Sequence, residues 1–357
     1  MKKLLRNILV TLNIIAAVLL LVAYSSVFIN PDFIAFPAFF GLAYPYLLLI
    51  NIIFIIVWAI NFKKEIIISL LVILLGLNHF NNYIRFGNDE TGDYDFNILS
   101  YNIRLFNHYD SEKNSEQAIV KYLDSVNSDI VCLQEFYLNG RTSSLDNRFV
   151  SPVSNDYDIH SKFVRIKDTR HYGIVTLSRF PVIDRGDILH PNSGSLSIYT
   201  DILIDTDTFR IYNNHLQSFK LRRMEKSLLE EVYGGDQNDT MKDLKDISFS
   251  LKQGFVRRAR QALTVKEHID SSPYPVIVCG DFNDTPISFT YRKMRKNLQD
   301  AFVESGKGAG FTYKGNYPPN RIDYILFDES LISTGYKTER IRLSDHYPIT
   351  AYFKLID

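Results

Sequence analysis

The sequence predicts an α/β domain of two packed β-sheets with helices outside, preceded by an N-terminal transmembrane helical bundle. Three observations carry this. Two long uncharged apolar runs open the chain. Short β-rich runs separated by turn residues begin at Asp95, and helical patterns intervene without a regular βαβ beat. The 357 residues suffice for one large domain and an appendage.

Residues 8–29 are almost wholly apolar, with Asn13 the strong exception, and residues 33–60 form a second run without charge. A helix needs about 20 apolar residues to cross the hydrocarbon core, so both qualify. Pro37 and Pro45 predict a kink in the outer part of the second run. A third run, 66–77, is short. It spans only if residues 62–65 snorkel at one end and residues 79–83 sit among the headgroups at the other. The expectation is three crossings, at 8–29, 33–60 and 64–83, within an anchor covering residues 1–88. Neither of the first two runs holds a charged side chain, so no ion or substrate path is expected there.

Lys/Arg bias sets the orientation. Lys2, Lys3 and Arg6 keep the N-terminus in the cytoplasm, and Lys63 and Lys64 keep the second connection there. A third crossing then leaves everything after Asn81 outside the cytoplasm, in the periplasm of a multi-pass cell-membrane protein. If the third run does not span, the remainder faces the cytosol. The basic start also suits a signal peptide, but no small-residue cleavage site follows, and cleavage leaves the same sidedness.

The first 88 residues hold Lys2, Lys3, Arg6, Lys63, Lys64 and Arg85 against Asp32 and Glu65. The whole chain is neutral, so the remainder is net acidic, which argues against bulk non-specific nucleic-acid binding. Two cysteines exclude a disulfide scaffold. Cys132 and Cys279 each sit in an apolar strand-like run and read as small buried hydrophobes.

Residues 93–357 form the second domain. Strands are predicted at 96–102, 130–135, 173–178, 209–215, 276–281, 321–327 and 349–355. Helices are predicted at 115–126, with apolar residues at 118, 119, 122, 123 and 126, and at 256–269. Residues 219–254 are charged, helix-prone at 221–232 and broken by Gly234-Gly-Asp-Gln-Asn, and they read as an insertion. Such insertions are commonly solvated decoration, and some shape a substrate mouth.

Polar residues recur at the predicted strand ends: Asn102, Glu135, His215, Asp281, Asn283, Asp323, Asp345 and His346. Each alone has an ordinary explanation as a turn residue or a solvated strand end. Together they are a consistent set, with carboxylates and amides for a hard metal ion and two histidines for proton and charge handling.

Ser100-Tyr-Asn-Ile-Arg, Leu133-Gln-Glu, Gly173-Ile-Val-Thr-Leu-Ser-Arg-Phe-Pro, Asn214-His-Leu, Gly280-Asp-Phe-Asn-Asp, Arg321-Ile-Asp-Tyr-Ile and Ser344-Asp-His-Tyr-Pro-Ile follow one another across the domain. This ordered series resembles the motifs of the endonuclease/exonuclease/phosphatase family. The resemblance implies a four-layer α/β sandwich and a metal-dependent phosphoester hydrolase. It makes Glu135 the principal metal ligand, assisted by Asn102 and Asp345, with Mg²⁺ as the cofactor and Mn²⁺ as its alternative. Asp281 would orient and deprotonate the attacking water, and Asn283 would hydrogen-bond to the nucleophile or a phosphate oxygen. Asp323 would hold the His346 tautomer, and His346 and His215 would contact the non-bridging oxygens. The histidine of Asn214-His-Leu is similar to that of the sphingomyelinase-like, inositol-phosphatase-like, deadenylase-like and DNase-like branches, whereas repair nucleases of apurinic sites carry tyrosine there.

Phosphoryl transfer asks mainly for positioning and for positive charge around the equatorial oxygens, which a metal ion and two imidazoles supply. The expected partners are the lipid bilayer, through the helices, and a phosphoester: a phospholipid head group, a phosphorylated small molecule or nucleic acid. Nothing points to a protein partner. The alternatives are an extracytoplasmic nuclease of the same chemistry and a catalytically silent membrane-bound binding module. Clustered Arg/Lys with stacking aromatics would favour the nuclease. Lys220, Arg222, Arg223, Arg257, Arg258 and Arg260 are candidates for that role, and a solvated helix face explains them equally.

Overall fold

The computed structural model describes residues 3–87, 91–108, 115–140, 157–167, 169–191, 193–219, 237–315 and 319–356. The helix expected at 221–232 lies outside these, as do Lys2, Lys220, Arg222 and Arg223. The chain groups into two compact units, one of Met1–Asn81, Ser218–Arg260 and Asp284–Lys293, the other of Asn82–Gln217, Gln261–Asn283 and Met294–Asp357. Two later stretches thus group with the apolar helices.

The first unit contains α1 (Lys3–Ser25), α2 (Phe36–Leu42), α3 (Tyr44–Ile60), α4 (Ile66–Leu75) and α5 (Leu77–Asn81). Residues Asn13, Ala16, Ala17, Leu20, Ala23 and Tyr24 form the buried stripe of α1, at helical spacing. Small side chains there let neighbouring backbones approach. Asn51 of α3 donates to the carbonyls of Ala16 and Leu47, at 3.1 and 2.9 Å, and Ser69 Oγ of α4 lies 2.6 Å from Asn13 Oδ1. Polar groups that would be orphaned in an apolar interior therefore satisfy one another across three helices. The run expected as a single helix at 33–60 is instead two helices meeting at 67°, with a proline in the first turn of each. Proline supplies no N–H to the preceding turn, so a new helix starts there.

The later stretches are tied into this unit by specific bonds. Arg260 pairs with Asp32 through two hydrogen bonds of 2.9 and 2.7 Å, and buried Arg258 donates to Asp284 at 3.1 Å. Ser26 Oγ lies 2.8 Å from the carbonyl of Ile287, and the Phe39 and Phe255 rings meet edge to face. The helix expected at 256–269 runs over Gln237–Asp270, so the C-terminal part of the expected insertion is helix. Its early turns are too polar for an apolar stripe to announce them.

The second unit carries the sheets. In chain order its strands are β1 (Ile84–Arg85), β2 (Phe96–Asn102), β3 (Ile130–Asn139), β4 (Asp158–Lys167) and β5 (Arg170–Ser178). They continue with β6 (Val182–Ile188), β7 (Leu196–Ile204), β8 (Asp207–His215) and β9 (Val276–Asp281). The last are β10 (Gln299–Asp300), β11 (Gly308–Ala309), β12 (Asp323–Phe327), β13 (Leu331–Thr338) and β14 (Ile349–Leu355). Two six-stranded mixed sheets form, in the orders β13-β14-β2-β3-β5-β4 and β10-β12-β9-β8-β7-β6.

The sheets share one core. Phe96, Ile98, Ile130, Cys132 and Phe353 of the first sheet pack with Ile202, Ile211, Ile277, Cys279 and Ile325 of the second. Both cysteines are free and buried in this layer, as expected. Helix Glu116–Val126 covers the outer face of the first sheet through Ile119 and Leu123. His268 of the long helix meets Tyr212 of the second sheet at 2.8 Å. The result is the four-layer arrangement, with central strands such as β2 and β9 buried along their whole length.

Candidate active site

Each sheet has one parallel pair at its centre, β2 with β3 and β8 with β9, and their C-terminal ends carry the predicted residues. Asn102 ends β2, His215 ends β8 and Asp281 ends β9. His215 and Asp281 are direct register partners, and Asp281 faces Asp323 on antiparallel β12. Three functional side chains thus share one row of one sheet.

Local backbone strain aims the rest. Glu135 has a φ of 51° at a break in the β3–β5 register between Leu133 and Phe136, a bulge that re-aims the side chain. Asn283 also has positive φ, at 52°. Gly280 adopts 129°, and a Cβ there would lie 2.0 Å from the Asn214 carbonyl oxygen, so only glycine fits before Asp281.

Asp281 is the hub. Its Oδ2 accepts from Asn102 Nδ2 at 2.9 Å and Asn283 Nδ2 at 3.1 Å, and its Oδ1 accepts from the Asn283 backbone at 2.7 Å. His215 Nε2 and His346 Nε2 each lie 3.8 Å from Oδ2. His346 is held through Nδ1, 2.9 Å from Asp323 Oδ2, and His215 Nε2 also faces Glu135 Oε1 at 3.5 Å. Asp345 lies 3.3 Å from Arg104 Nε, and the Arg104 backbone donates to Asn102 Oδ1 at 3.0 Å. All eight predicted residues therefore sit in one linked network.

Electrostatics separate the two central groups. Burial raises Asp281 to about 7, against the lowering effect of His346. Burial alone would lower His346, but the Asp323 and Asp281 carboxylates outweigh it and push the imidazole up to about 10. The site thus holds a cationic imidazole beside a carboxyl poised near neutrality.

The donor set suits a hard cation. Glu135, Asp345 and Asn102 offer oxygen only, as Mg²⁺ prefers. Asp345 and Asn102 also engage Arg104. A second grouping, Asp281, Asp323 and His346, brings its ligand atoms within 4.8 Å of one another. His346 Nδ1 is committed there to Asp323, so this grouping reads as a hydrogen-bonded relay.

Sequence reasoning did not single out Tyr172, whose hydroxyl lies 3.3 Å from His215 Nδ1, or Thr312, which orients the Asp323 backbone by accepting its N–H at 3.2 Å. Tyrosine and threonine are ordinary sheet residues and carried no signal. The basic candidates Arg258 and Arg260 are held in ion pairs of the first unit. Other cationic side chains flank the Asp345–Tyr347 segment, with Arg104 by Asp345 and Lys314 and Arg340 by Tyr347. The Lys314 amide bonds the Asp345 carbonyl, and Lys314 and Arg340 both lie by the Tyr347 ring, at 5.0 and 5.3 Å.

Solved structures with the same fold include an endonuclease/exonuclease/phosphatase family protein from Leptotrichia buccalis, at 14% identity and a TM-score of 0.52, covering 73% of this chain and 100% of that one. The endonuclease/exonuclease/phosphatase from Bacteroides vulgatus matches at 19% identity and a TM-score of 0.53, over 74% and 100%. The human nocturnin catalytic domain with bound sulfate matches at 16% and 0.52, over 74% and 94%. Among curated proteins no match is found. Residues 6–83 match a domain of unknown function, DUF8431. Residues 99–346 match the profile of the Endonuclease/Exonuclease/phosphatase family, and the chain belongs to that family, whose members hydrolyse phosphoesters.

Proposed function

We propose that the protein is a membrane-anchored, divalent-metal-dependent hydrolase in which water attacks phosphorus. The observation that carries this is the Asp281-centred network, which joins carboxylates, amides and two imidazoles at the end of the sheets. Asp281, poised at about 7, takes the proton of the attacking water, and Asn283 and Asn102 fix its orientation. The His346 imidazolium, held by Asp323, faces the non-bridging oxygens together with His215. Glu135 anchors Mg²⁺, assisted by Asn102 and Asp345. When bound, the cation supplies positive charge to the phosphoryl oxygens.

The test is hydrolysis of bis-p-nitrophenyl phosphate by the full chain in detergent. Activity is lost on chelation and restored by Mg²⁺ or Mn²⁺. Full activity in excess chelator would sink the metal reading, and no turnover of any phosphoester would sink the enzyme.

A second reading, a nuclease, is favoured by Lys314 and Arg340, which lie against the Tyr347 ring, and by Arg104 beside Asp345. Such a group suits a substrate with more than one phosphate. A panel of DNA, RNA, phospholipids and inositol phosphates separates the readings.

The membrane arm is supported by exposed apolar faces. Leu4, Leu12 and Ile15 of α1, Ile53 and Ile56 of α3 and Leu71 and Leu74 of α4 all lie open, which lipid accommodates and water does not. Helix α1 is long and apolar enough to span a membrane, and the bent pair α2–α3 passes the same test together. For the short third run, neighbours matter. Arg6 pairs with Glu65, Asn13 meets Ser69, and Tyr24 bonds the Val72 carbonyl and stacks on His79. Helices α4 and α5 therefore run alongside α1, in the same direction, from Arg6 to Tyr24. That stretch of α1 is roughly 27 Å at the helical rise, close to the hydrocarbon thickness of about 30 Å. The reading is three crossings with a periplasmic catalytic domain. A C-terminal reporter that works only in the cytosol stays dark, and a bright one would overturn this sidedness.

A further inference from the structure

The two active-site histidines are both held through Nδ1, but by different chemistry. His346 faces the Asp323 carboxylate, a charged acceptor. His215 faces the phenolic oxygen of Tyr172 at 3.3 Å, with the two rings 72° apart. Tyr172 sits in β5, register partner of Tyr137 in β3 and Val164 in β4, so its backbone is fixed on both sides.

The hydroxyl has one proton, and it is already given. Tyr172 donates to the carbonyl of Gly194 in the turn after β6. That turn is itself pinned, because Gln261 donates to Ser193 Oγ at 2.9 Å and to Ser195 Oγ at 3.0 Å, while its Oε1 accepts from the Gln217 amide at 2.9 Å. What Tyr172 turns toward His215 is therefore a lone pair, and an imidazole nitrogen facing a lone pair must carry hydrogen. Burial, with Glu135 and Asp281 adding to it, holds the phenol well above its ordinary range, so the hydroxyl keeps its proton throughout the working pH range.

We propose that Tyr172 is a positioning residue that fixes His215 with hydrogen on Nδ1 and directs Nε2 at the space bordered by Glu135 and Asp281. Nε2 stands 3.5 Å from Glu135 Oε1 and 3.8 Å from Asp281 Oδ2, where the phosphoryl group meets the site. A carboxylate at position 172 would place a further negative charge beside Glu135. A phenol orients the ring without one, which leaves the anionic character of the site to the metal-binding and proton-accepting groups. The kinetic half of this inference rests on the phosphoester reading, whereas the state of the ring does not.

The experiment uses the full chain in detergent with ¹⁵N-labelled histidine, comparing the parent with Tyr172→Phe. The parent shows His215 as the Nδ1–H form or as the imidazolium. Tyr172→Phe, with an unchanged thermal midpoint, shows a His215 pattern shifted toward the Nε2–H form. Its kcat on bis-p-nitrophenyl phosphate falls roughly tenfold at similar KM, the size of effect expected when a buried N–H loses its acceptor. An unchanged His215 signal in Tyr172→Phe overturns the proposal, as does a parent His215 with hydrogen on Nε2 alone. A rise in KM with kcat intact assigns Tyr172 to substrate binding and overturns it too. If no phosphoester is turned over, the histidine spectra still decide whether Tyr172 sets the tautomer.

Discussion

Asp281→Asn lowers kcat on bis-p-nitrophenyl phosphate by roughly 10²- to 10⁴-fold, the range for loss of a general base. The substitution keeps the shape of the side chain and removes its proton affinity. The fold survives because a carboxyl raised to about 7 already spends much of its time neutral at physiological pH. One hydrogen bond is lost, since an amide nitrogen at either position of the carboxylate meets a donor from Asn102 or Asn283. That costs about 1 kcal/mol and a few degrees of Tm. The acid limb of the parent's kcat/KM profile belongs to the same group. A bound cation nearby favours the carboxylate and moves that limb below pH 7. Retention of more than a tenth of the parental kcat by a folded Asp281→Asn protein would remove Asp281 from the role of base.

How much of this site could be read from the chain depends on what held each residue in place. Asp281 and Asn283 were legible as members of an ordered motif series, since the Gly280-Asp-Phe-Asn-Asp stretch alone reads equally as a turn. The same holds for Asp345 and His346 before the strand Ile349–Leu355. Glu135 was legible as a motif residue, but its aim was not. The bulge that turns it is set by the β3–β5 pairing, a contact between distant segments. Tyr172 was silent because its role comes from a lone pair turned to His215 while its proton goes to Gly194. In the arm, Pro37 and Pro45 announced the break between α2 and α3. The early turns of helix Gln237–Asp270 were hidden, because their residues, from Gln237-Asn-Asp-Thr to Lys242-Asp-Leu-Lys-Asp, are mostly polar and leave no apolar period.

In the metal-free protein, thermal stability falls as pH rises from about 6.5 through about 10, and His346→Gln abolishes that slope. The folded imidazole is pushed up to about 10 from an ordinary 6.5, with burial opposing and Asp323 and Asp281 driving the change. A base raised in the folded state contributes its full stability below 6.5 and loses it as pH climbs through the folded value. Asp281 acts in the same sense over a lower window. Its carboxyl is raised from 3.8 to about 7, so the folded state holds that proton more tightly than the unfolded chain, and stability declines between those values. Across these two windows the unliganded protein therefore loses stability as pH rises from about 4 to about 10. The His346 contribution is on the order of 3 kcal/mol, because each tenfold gain in proton affinity is worth about 1.4 kcal/mol and Asp281 shares part of the gain. His346→Gln also leaves the buried Asp323 carboxylate without its cation, a loss of about 3–5 kcal/mol near pH 6 where the pair is intact. Thermal unfolding in chelator across pH 5–10 measures both effects. A parental Tm that stays flat between pH 7 and 10, or a His346→Gln protein with the parental slope, would show that the dyad is not charged as its geometry requires. Asp323→Asn separates the partners. It leaves the imidazole a neutral acceptor, removes most of the alkaline slope and lowers kcat, because the positive charge facing the phosphoryl oxygens is then no longer held at neutral pH.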